Sequence, residues 1–304
     1  MSSAERPAAT PPAGRPPAPR RLLRSFLYAP GSRERLLGKA LVAGADAVIC
    51  DLEDAVAPAD RPAARQAVAA LVATHGAYAP CQVHVRVNTG PDGYDRADLD
   101  AVVAPGLAAI RLPKAVDPDQ VAAVAGRLDA LERARGLPVG SIGLYPTVET
   151  AAGVEQARAL AAAPRVVGLA FGAADFLADI GAAGGDGRDA TLLARSTLVL
   201  ASRAAGIGPP VDGAHVDLAD TEGLRRSTRW ARSLGFFGRS AIHPRQLPVI
   251  HEAFTPTAAE LAWAARVVAA VRDGAATAVV DGGFVDAPVV RRARDLLALA
   301  EGDR

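Results

Sequence analysis

Short apolar runs rich in valine, isoleucine and leucine, each followed by a longer alanine-rich stretch, recur eight times between Ser25 and His243. The runs are "SFLYA" (25–29), "DAVICDLE" (46–53), "QVHVRV" (82–87), "LAAIRLP" (107–113), "GSIGLYPTV" (140–148), "RVVGLAFG" (165–172), "GPPVDG" (208–213) and "FFGRSAIH" (236–243). Helical periodicity falls between them, over about 31–44, 59–75, 95–104, 117–136, 149–163, 189–206 and 219–235. Strand and helix in strict alternation leave little room for anything but a parallel sheet covered by helices. Eight repeats in this length predict an α/β chain folded as a (β/α)8 TIM barrel over 21–255. The competitor, an open doubly wound sheet, calls for a glycine-rich first turn, and "APGSRERLLGKA" lacks the GxGxxG spacing.

The flanks read differently. Residues 1–20 are too rich in proline to form a helix and contain nothing that could pack, so they read as a disordered tail with neither a signal peptide nor a transit helix. Residues 256–304 hold two helix candidates, 257–272 and 288–300, a length too short for a second domain with its own core. This C-terminal helical extension is expected to pack on the barrel or to complete a neighbouring subunit's site.

Composition excludes several classes. A formal charge of +1 gives no electrostatic case for nucleic acid or an acidic membrane. No apolar run is long enough for a transmembrane helix. Two cysteines, Cys50 and Cys81, make no disulfide framework and suit reduced thiols of a cytoplasmic protein. Only Lys39 and Lys114 could form a Schiff base.

Barrel enzymes place their chemistry at the C-terminal ends of the strands. The polar residues there are Asp51, Glu53 and Asp54, then Arg86 and Asn88, then Arg111 and Lys114, followed by Glu149, Asp175, Asp212 and His243. Alternation puts Asp51 and Glu53 on one face. One arginine among several carboxylates suits a hard divalent cation such as Mg²⁺, with open positions for water and substrate. Zinc would want cysteine or histidine, and the five histidines show no ligand spacing. A structural ion-pair network at the mouth is the competing reading. Lys114 could serve a Schiff-base aldolase or simply an ion pair. His84 and His243 read as structural, Asp212 as a loop cap or a substrate contact, and "RRSTRWAR" as a solvated helix face.

"RSFLYAPGSRERLLGKALVAGADAVICDLEDAV", "VRVN", "IRLPK", "ETAAGV", "FGAADFLADIG", "GFFGRSAIHPRQ" and "DAPVVRRA" occur in that order. Together they resemble the citrate lyase β-subunit-like acyl-CoA lyases of the HpcH/HpaI aldolase group, over nearly the whole chain after the tail. The resemblance implies Mg²⁺, or Mn²⁺, held by Glu149 and Asp175, and Arg86 on the oxo acid. It implies Glu53 and Asp54 behind metal-bound waters. Arg24, Lys114, Gly172, Ala173 and Ala174 would meet substrate, and Arg33 and Lys39 the phosphates of CoA. Asp286 would act as the acid/base in an adjacent subunit of a trimer or hexamer. The expected activity is cleavage or formation of a 3-hydroxyacyl-CoA, such as malyl-CoA or citramalyl-CoA, to acetyl-CoA and a 2-oxo acid, glyoxylate or pyruvate. A citryl-carrier-protein lyase subunit, a malyl-CoA thioesterase and a CoA-independent aldolase are the alternatives. Two residues depart from the family pattern: Arg239 stands where lysine is common, and Ala174 where an acid is common.

Overall fold

A computed structural model describes residues 22–90, 93–183, 187–271 and 277–301; the expected tail lies outside them. The chain alternates as its periodicity requires. Strands β1 (Ser25–Pro30), β2 (Ala47–Asp51), β3 (Gln82–Arg86), β4 (Leu107–Leu112), β5 (Gly143–Val148), β6 (Ala170–Phe171) and β7 (Arg239–Ala241) form one curled parallel sheet in the order β6-β5-β4-β3-β2-β1-β7. Helices α1 (Glu34–Leu41), α2 (Arg61–His75), α3 (Arg96–Val102), α4 (Pro118–Ala134), α5 (Ala151–Glu155), α6 (Ala157–Ala162), α7 (Ala173–Asp179), α8 (Arg188–Ala205) and α9 (Thr221–Leu234) fall between the strands. Polar side chains start several of them. Asp95 accepts from two amides of α3, Asp117 from Asp119 of α4, and Asp220 from Gly223 of α9. Each satisfies helix N–H groups that would otherwise have no partner.

The two faces of the sheet bury different things. Alternate residues Leu27, Val48, Cys50, Val83, Val85, Ile110 and Leu144 face the helices in the main apolar core. Their neighbours Phe26, Ile49, Ala109, Tyr145 and Ala170 form a second cluster on the concave side, with Tyr28 packed against it. His84 sits in the concave layer with no exposure and stacks near Phe26 and Tyr145, the core role expected of it.

The expected seventh strand, 208–213, does not form a ladder. Pro209 and Pro210 bring no amide hydrogen, so only single bridges survive: Ala170 with Val211, and Asp212 with Arg239. They span the gap between the two edges of the sheet. The sixth run is also shorter than expected, because Arg165 takes a left-handed conformation and pairing shrinks to a Val166 bridge and β6. The helix expected over 149–163 is broken into α5 and α6 at Gln156. α7 was not anticipated, since it follows β6 after a single residue and has no side-chain cap.

The C-terminal segment carries two helices and a hairpin. After α10 (Leu247–Phe254), α11 (Ala258–Ala270), a hairpin (Ala278–Val280 with Gly283–Val285) and α12 (Ala287–Glu301) enclose a small core of their own, made by Ala264, Val267, Val285, Val290 and Ala293. Thr257 and Glu260 cap α11 reciprocally. Among the described residues no helix is long and apolar enough to cross a membrane.

Candidate active site

Register brings Asp51, Arg86, Arg111 and Tyr145 side by side on four neighbouring strands. Arg86 and Asp51 form a two-pronged pair: Nε donates to Oδ1 at 2.7 Å and Nη2 to Oδ2 at 2.6 Å. Asp51 is 1% exposed, so this pair is desolvated and its planar fork geometry fixes the guanidinium. Nη1 donates to Asp54 at 2.9 Å and makes an ion pair with Glu53 Oε2 at 2.8 Å. The Tyr28 ring lies 5.0 Å from the guanidinium carbon. Asp51 therefore does what the sequence left open: it holds a cation, and Asp54 and Glu53 share the other side of it.

Lys114 completes this network. Its ammonium is 2.5 Å from Glu53 Oε1. Its backbone is in the left-handed region, uncommon for a residue with a Cβ, and its amide donates to Glu149 Oε1 at 2.6 Å. The hydrogen bond to Glu53 raises the Lys114 pKa, which keeps the amine protonated. A Schiff-base nucleophile needs the opposite shift. Lys114 is the ion-pair residue of the two readings offered by the sequence.

Glu149 follows β5 directly and is 5% exposed. Burial pushes its carboxyl up to about 7, and the charges of Asp175 and Glu53 add to the rise against the Lys114 amide. Burial likewise raises Glu53, against the pull of Lys114 and Arg86. Asp175 is exposed in the first turn of α7. Glu149, Glu53 and Asp175 together make the strand ends a negatively charged recess. Their oxygens suit a hard divalent ion. Among the described residues no group of three or more acids, histidines or cysteines is placed to hold a metal, so Glu149 and Asp175 would leave most positions to water and substrate.

Gly172 secures this recess. A Cβ there would sit 2.4 Å from Glu149 Oε2 and 2.6 Å from Glu149 Cβ. Gly172→Ala is expected to displace Glu149, to lower activity about 10- to 100-fold and to lower the melting temperature, because a Cβ–Cβ overlap is not relieved by rotating the carboxylate. Unchanged kcat/KM in that variant would show that the approach has no bearing on catalysis. Ala173 and Ala174 open α7 beside it.

The other expected residues are spread out. Arg33 precedes α1 and, with Pro30, Gly31, Ser32, Ala55 and Ala57, lines an open cleft of ≈ 550 Å³ beside the mouth. Lys39 is in the last turn of α1, away from that cleft. Arg24 precedes β1 at the opposite end of the strands, where it binds Asp46 and Thr255. The substrate contact expected of it does not fit this position, because the strands run parallel and residue 24, just before β1, lies at the end opposite their C-terminal ends. Asp286 starts α12 in the C-terminal segment, where its Oδ1 accepts from Val289, and among the described residues no hydrogen bond or ion pair brings it to the recess. His243 accepts from the Arg245 amide, a turn-forming role. Asp212 is buried between Arg195 and Arg239 and accounts for both. Tyr28 and Thr147 escaped the sequence reading. The period-2 signal that found Arg86 also places them on the concave face, with Phe26 and Tyr145.

A curled parallel sheet with its charged residues gathered at the carboxyl ends of the strands defines an α/β protein of enzyme type. The chain belongs to the HpcH/HpaI aldolase/citrate lyase family, whose model matches residues 24–244. It is 32% identical over 286 residues to a citrate lyase subunit beta of Haemophilus influenzae, covering 92% of this chain and 98% of that one. It is 37% identical over 285 residues to a (3S)-malyl-CoA thioesterase of Cereibacter sphaeroides, covering 91% and 94%. Among solved structures, the CitE protein of Mycobacterium tuberculosis in complex with magnesium, acetoacetate and coenzyme A matches with a TM-score of 0.75 and 35% identity, covering 93% of this chain and 99% of that one.

Proposed function

We propose that this protein is a Mg²⁺-dependent carbon–carbon lyase that cleaves or forms a 3-hydroxyacyl-CoA of the malyl-CoA or citramalyl-CoA type, releasing acetyl-CoA and a 2-oxo acid. The observation that carries the reading is the charge of the mouth. Asp51, Glu53, Asp54, Glu149 and Asp175, when ionised, outnumber Arg86 and Lys114, the cations paired among them, and the excess of negative charge suits a divalent cation. A solved relative binds magnesium, acetoacetate and coenzyme A, and another binds oxaloacetate and magnesium. The sheet is read as a (β/α)8 barrel whose seventh strand is reduced by its prolines.

Glu149 and Asp175 would hold the cation, which when bound would polarise the substrate's oxygens and favour transfer of the hydroxyl proton to a neighbouring carboxylate of the mouth. Arg86, locked by Asp51, offers a fixed positive group where the new carbonyl oxygen carries charge. Glu53 and Asp54, which hold Arg86 and Lys114, would also accept hydrogen bonds from waters around a bound cation. The cleft beside Arg33 takes the CoA chain. The departing thioester enolate must gain a proton on carbon, and Asp286 of the partner subunit supplies it in a homo-oligomer. The malyl-CoA thioesterase relative favours a second outcome, hydrolysis of the thioester at the same site.

Purified protein incubated with malyl-CoA and citramalyl-CoA decides between them: acetyl-CoA with an oxo acid marks the lyase, and free CoA with a hydroxy acid marks the thioesterase. Turnover untouched by EDTA removes the metal from the scheme. Asp286→Ala and Glu149→Gln, each inactive alone, are expected to regain about a quarter of wild-type activity when co-expressed, because one mixed interface in four carries both intact groups. No recovery on co-expression argues that sites are complete within one chain.

A further inference from the structure

Arg86 is short of donors for the task its charge suits. A guanidinium carries five N–H groups. Nε and one hydrogen of Nη2 go to Asp51, and Nη1 donates to Asp54 while lying 2.8 Å from Glu53. Among the described residues that leaves the second hydrogen of Nη2 as the one with no acid beside it. An oxygen that gains charge during a reaction is held best by more than one aimed donor.

Most donors around the mouth are already committed or closed off. The Lys114 ammonium is tied to Glu53 at 2.5 Å. Asn88 spends both hydrogens of Nδ2, on the Leu52 carbonyl and on Asp98, each at 2.8 Å. The hydroxyls of Thr147 and Tyr94 belong to buried residues. Tyr28 differs on each count. It stands on the concave face of β1, only partly buried, and its ring lies 5.0 Å from the Arg86 guanidinium carbon. No hydrogen bond among the described residues engages its hydroxyl. Packing on the cluster of Phe26, Ile49 and Tyr145 fixes the ring, so the hydroxyl is held in place without being used. Burial raises the phenol pKa against the pull of Arg86 and Arg111, which keeps the proton on the oxygen. A neutral phenol next to cations is a polarised donor.

We propose that Tyr28 is a catalytic residue whose hydroxyl donates, together with Nη2 of Arg86, to the substrate oxygen that becomes the carbonyl of the 2-oxo acid. This rests on the lyase reading of the mouth. In cleavage that oxygen gives its proton to a carboxylate of the mouth, the electrons of the carbon–carbon bond leave with the thioester enolate, and the oxygen closes the new C=O. Tyr28 keeps its own proton throughout and opposes the negative charge while it is on the oxygen. In the condensing direction the same two donors meet the same oxygen as the carbonyl is attacked. The rival role is a ring that only covers the Arg86–Asp51 pair by its cation–π contact, and phenylalanine would serve that equally.

The full-length chain carrying Tyr28→Phe, which keeps the ring and removes the hydroxyl, separates the two. It is expected to melt within about 2 °C of wild type, because the fold makes no use of the hydroxyl. With malyl-CoA or citramalyl-CoA and Mg²⁺, kcat is expected to fall about 100-fold while KM stays within about threefold, the split that marks a contact made mainly in the transition state. Calorimetric titration with pyruvate and Mg²⁺ is expected to show binding about fivefold weaker than wild type, the scale of one neutral hydrogen bond. Tyr28→Leu, which removes ring and hydroxyl together, is expected to lose the same activity and to melt lower as well. Wild-type kcat in Tyr28→Phe, or a loss confined to KM, overturns the role of the hydroxyl and leaves the lyase reading standing. If wild type cleaves neither ester but binds pyruvate, the lyase reading falls, and an unchanged pyruvate Kd in Tyr28→Phe then overturns the contact as well. Wild type that neither cleaves an ester nor binds pyruvate overturns both.

Discussion

In the presence of a chelator at about pH 8, Glu149→Gln is expected to melt higher than wild type, although its kcat/KM with metal restored is expected to be about 1,000-fold lower. Both effects come from one carboxylate. Burial, with Asp175 and Glu53 nearby, raises its pKa from an ordinary 4.5 to about 7. A folded-state pKa above the unfolded one stabilises the fold only while the group stays protonated. That contribution is complete below about pH 4.5 and is lost as pH rises through about 7, a loss of about 3 kcal/mol. The chelated wild type should therefore lose melting temperature between about pH 5.5 and 8 more steeply than the glutamine variant, which cannot ionise there. A divalent cation reverses the sign by binding the ionised form, so Mg²⁺ should raise the wild-type melting temperature more at the higher pH and leave Glu149→Gln unmoved. Scanning calorimetry at the two pH values, with EDTA and with Mg²⁺, reads all of this. Parallel pH slopes for the two proteins would show that Glu149 does not carry the perturbed charge.

Arg86→Ala is the second large effect, and it acts on stability as well as on catalysis. The substitution strands Asp51, which is 1% exposed and among the described residues has Arg86 as its only cationic partner, and leaves Glu53 with Lys114. Removing one member of a buried pair costs about 3–5 kcal/mol, because the remaining charge stays desolvated. For a chain of this size that lowers the melting temperature by about 5–10 °C. Arg86→Ala combined with Asp51→Asn should recover most of that stability, since the stranded charge is gone, and none of the activity, since the fixed positive group is still missing. Chemical denaturation and steady-state kinetics on wild type and the two variants separate the two roles. If the double variant is no more stable than Arg86→Ala, the loss lies in packing against Tyr28 rather than in the unpaired acid.

The tests placed above divide the same site by depth. Gly172→Ala probes the approach of α7 to Glu149, and co-expression probes whether Asp286 completes a second subunit.

Much of this protein was determined by its sequence alone. Valine- and isoleucine-rich runs alternating with alanine-rich ones specify a parallel sheet under helices, because each kind of run has its own period and must bury one face. The capping aspartates at 95, 117 and 220 mark where helices begin, since an oxygen must meet their first amides. Motif order was enough to name the family and to pick Glu53, Arg86, Glu149 and Asp175 out of the chain. Only the tertiary structure decided how those charges pair. Strand register, which depends on long-range packing, set Asp51 against Arg86 and placed Arg111 beside them among aromatic rings with no acid to face. It also sent Arg24 to the other end of the strands, reduced the proline-bearing seventh run to two bridges, and gave the C-terminal helices a core of their own. Residue type tells what a side chain can do, but its partners are set by which strand lies next to it, and that is a property of the folded sheet.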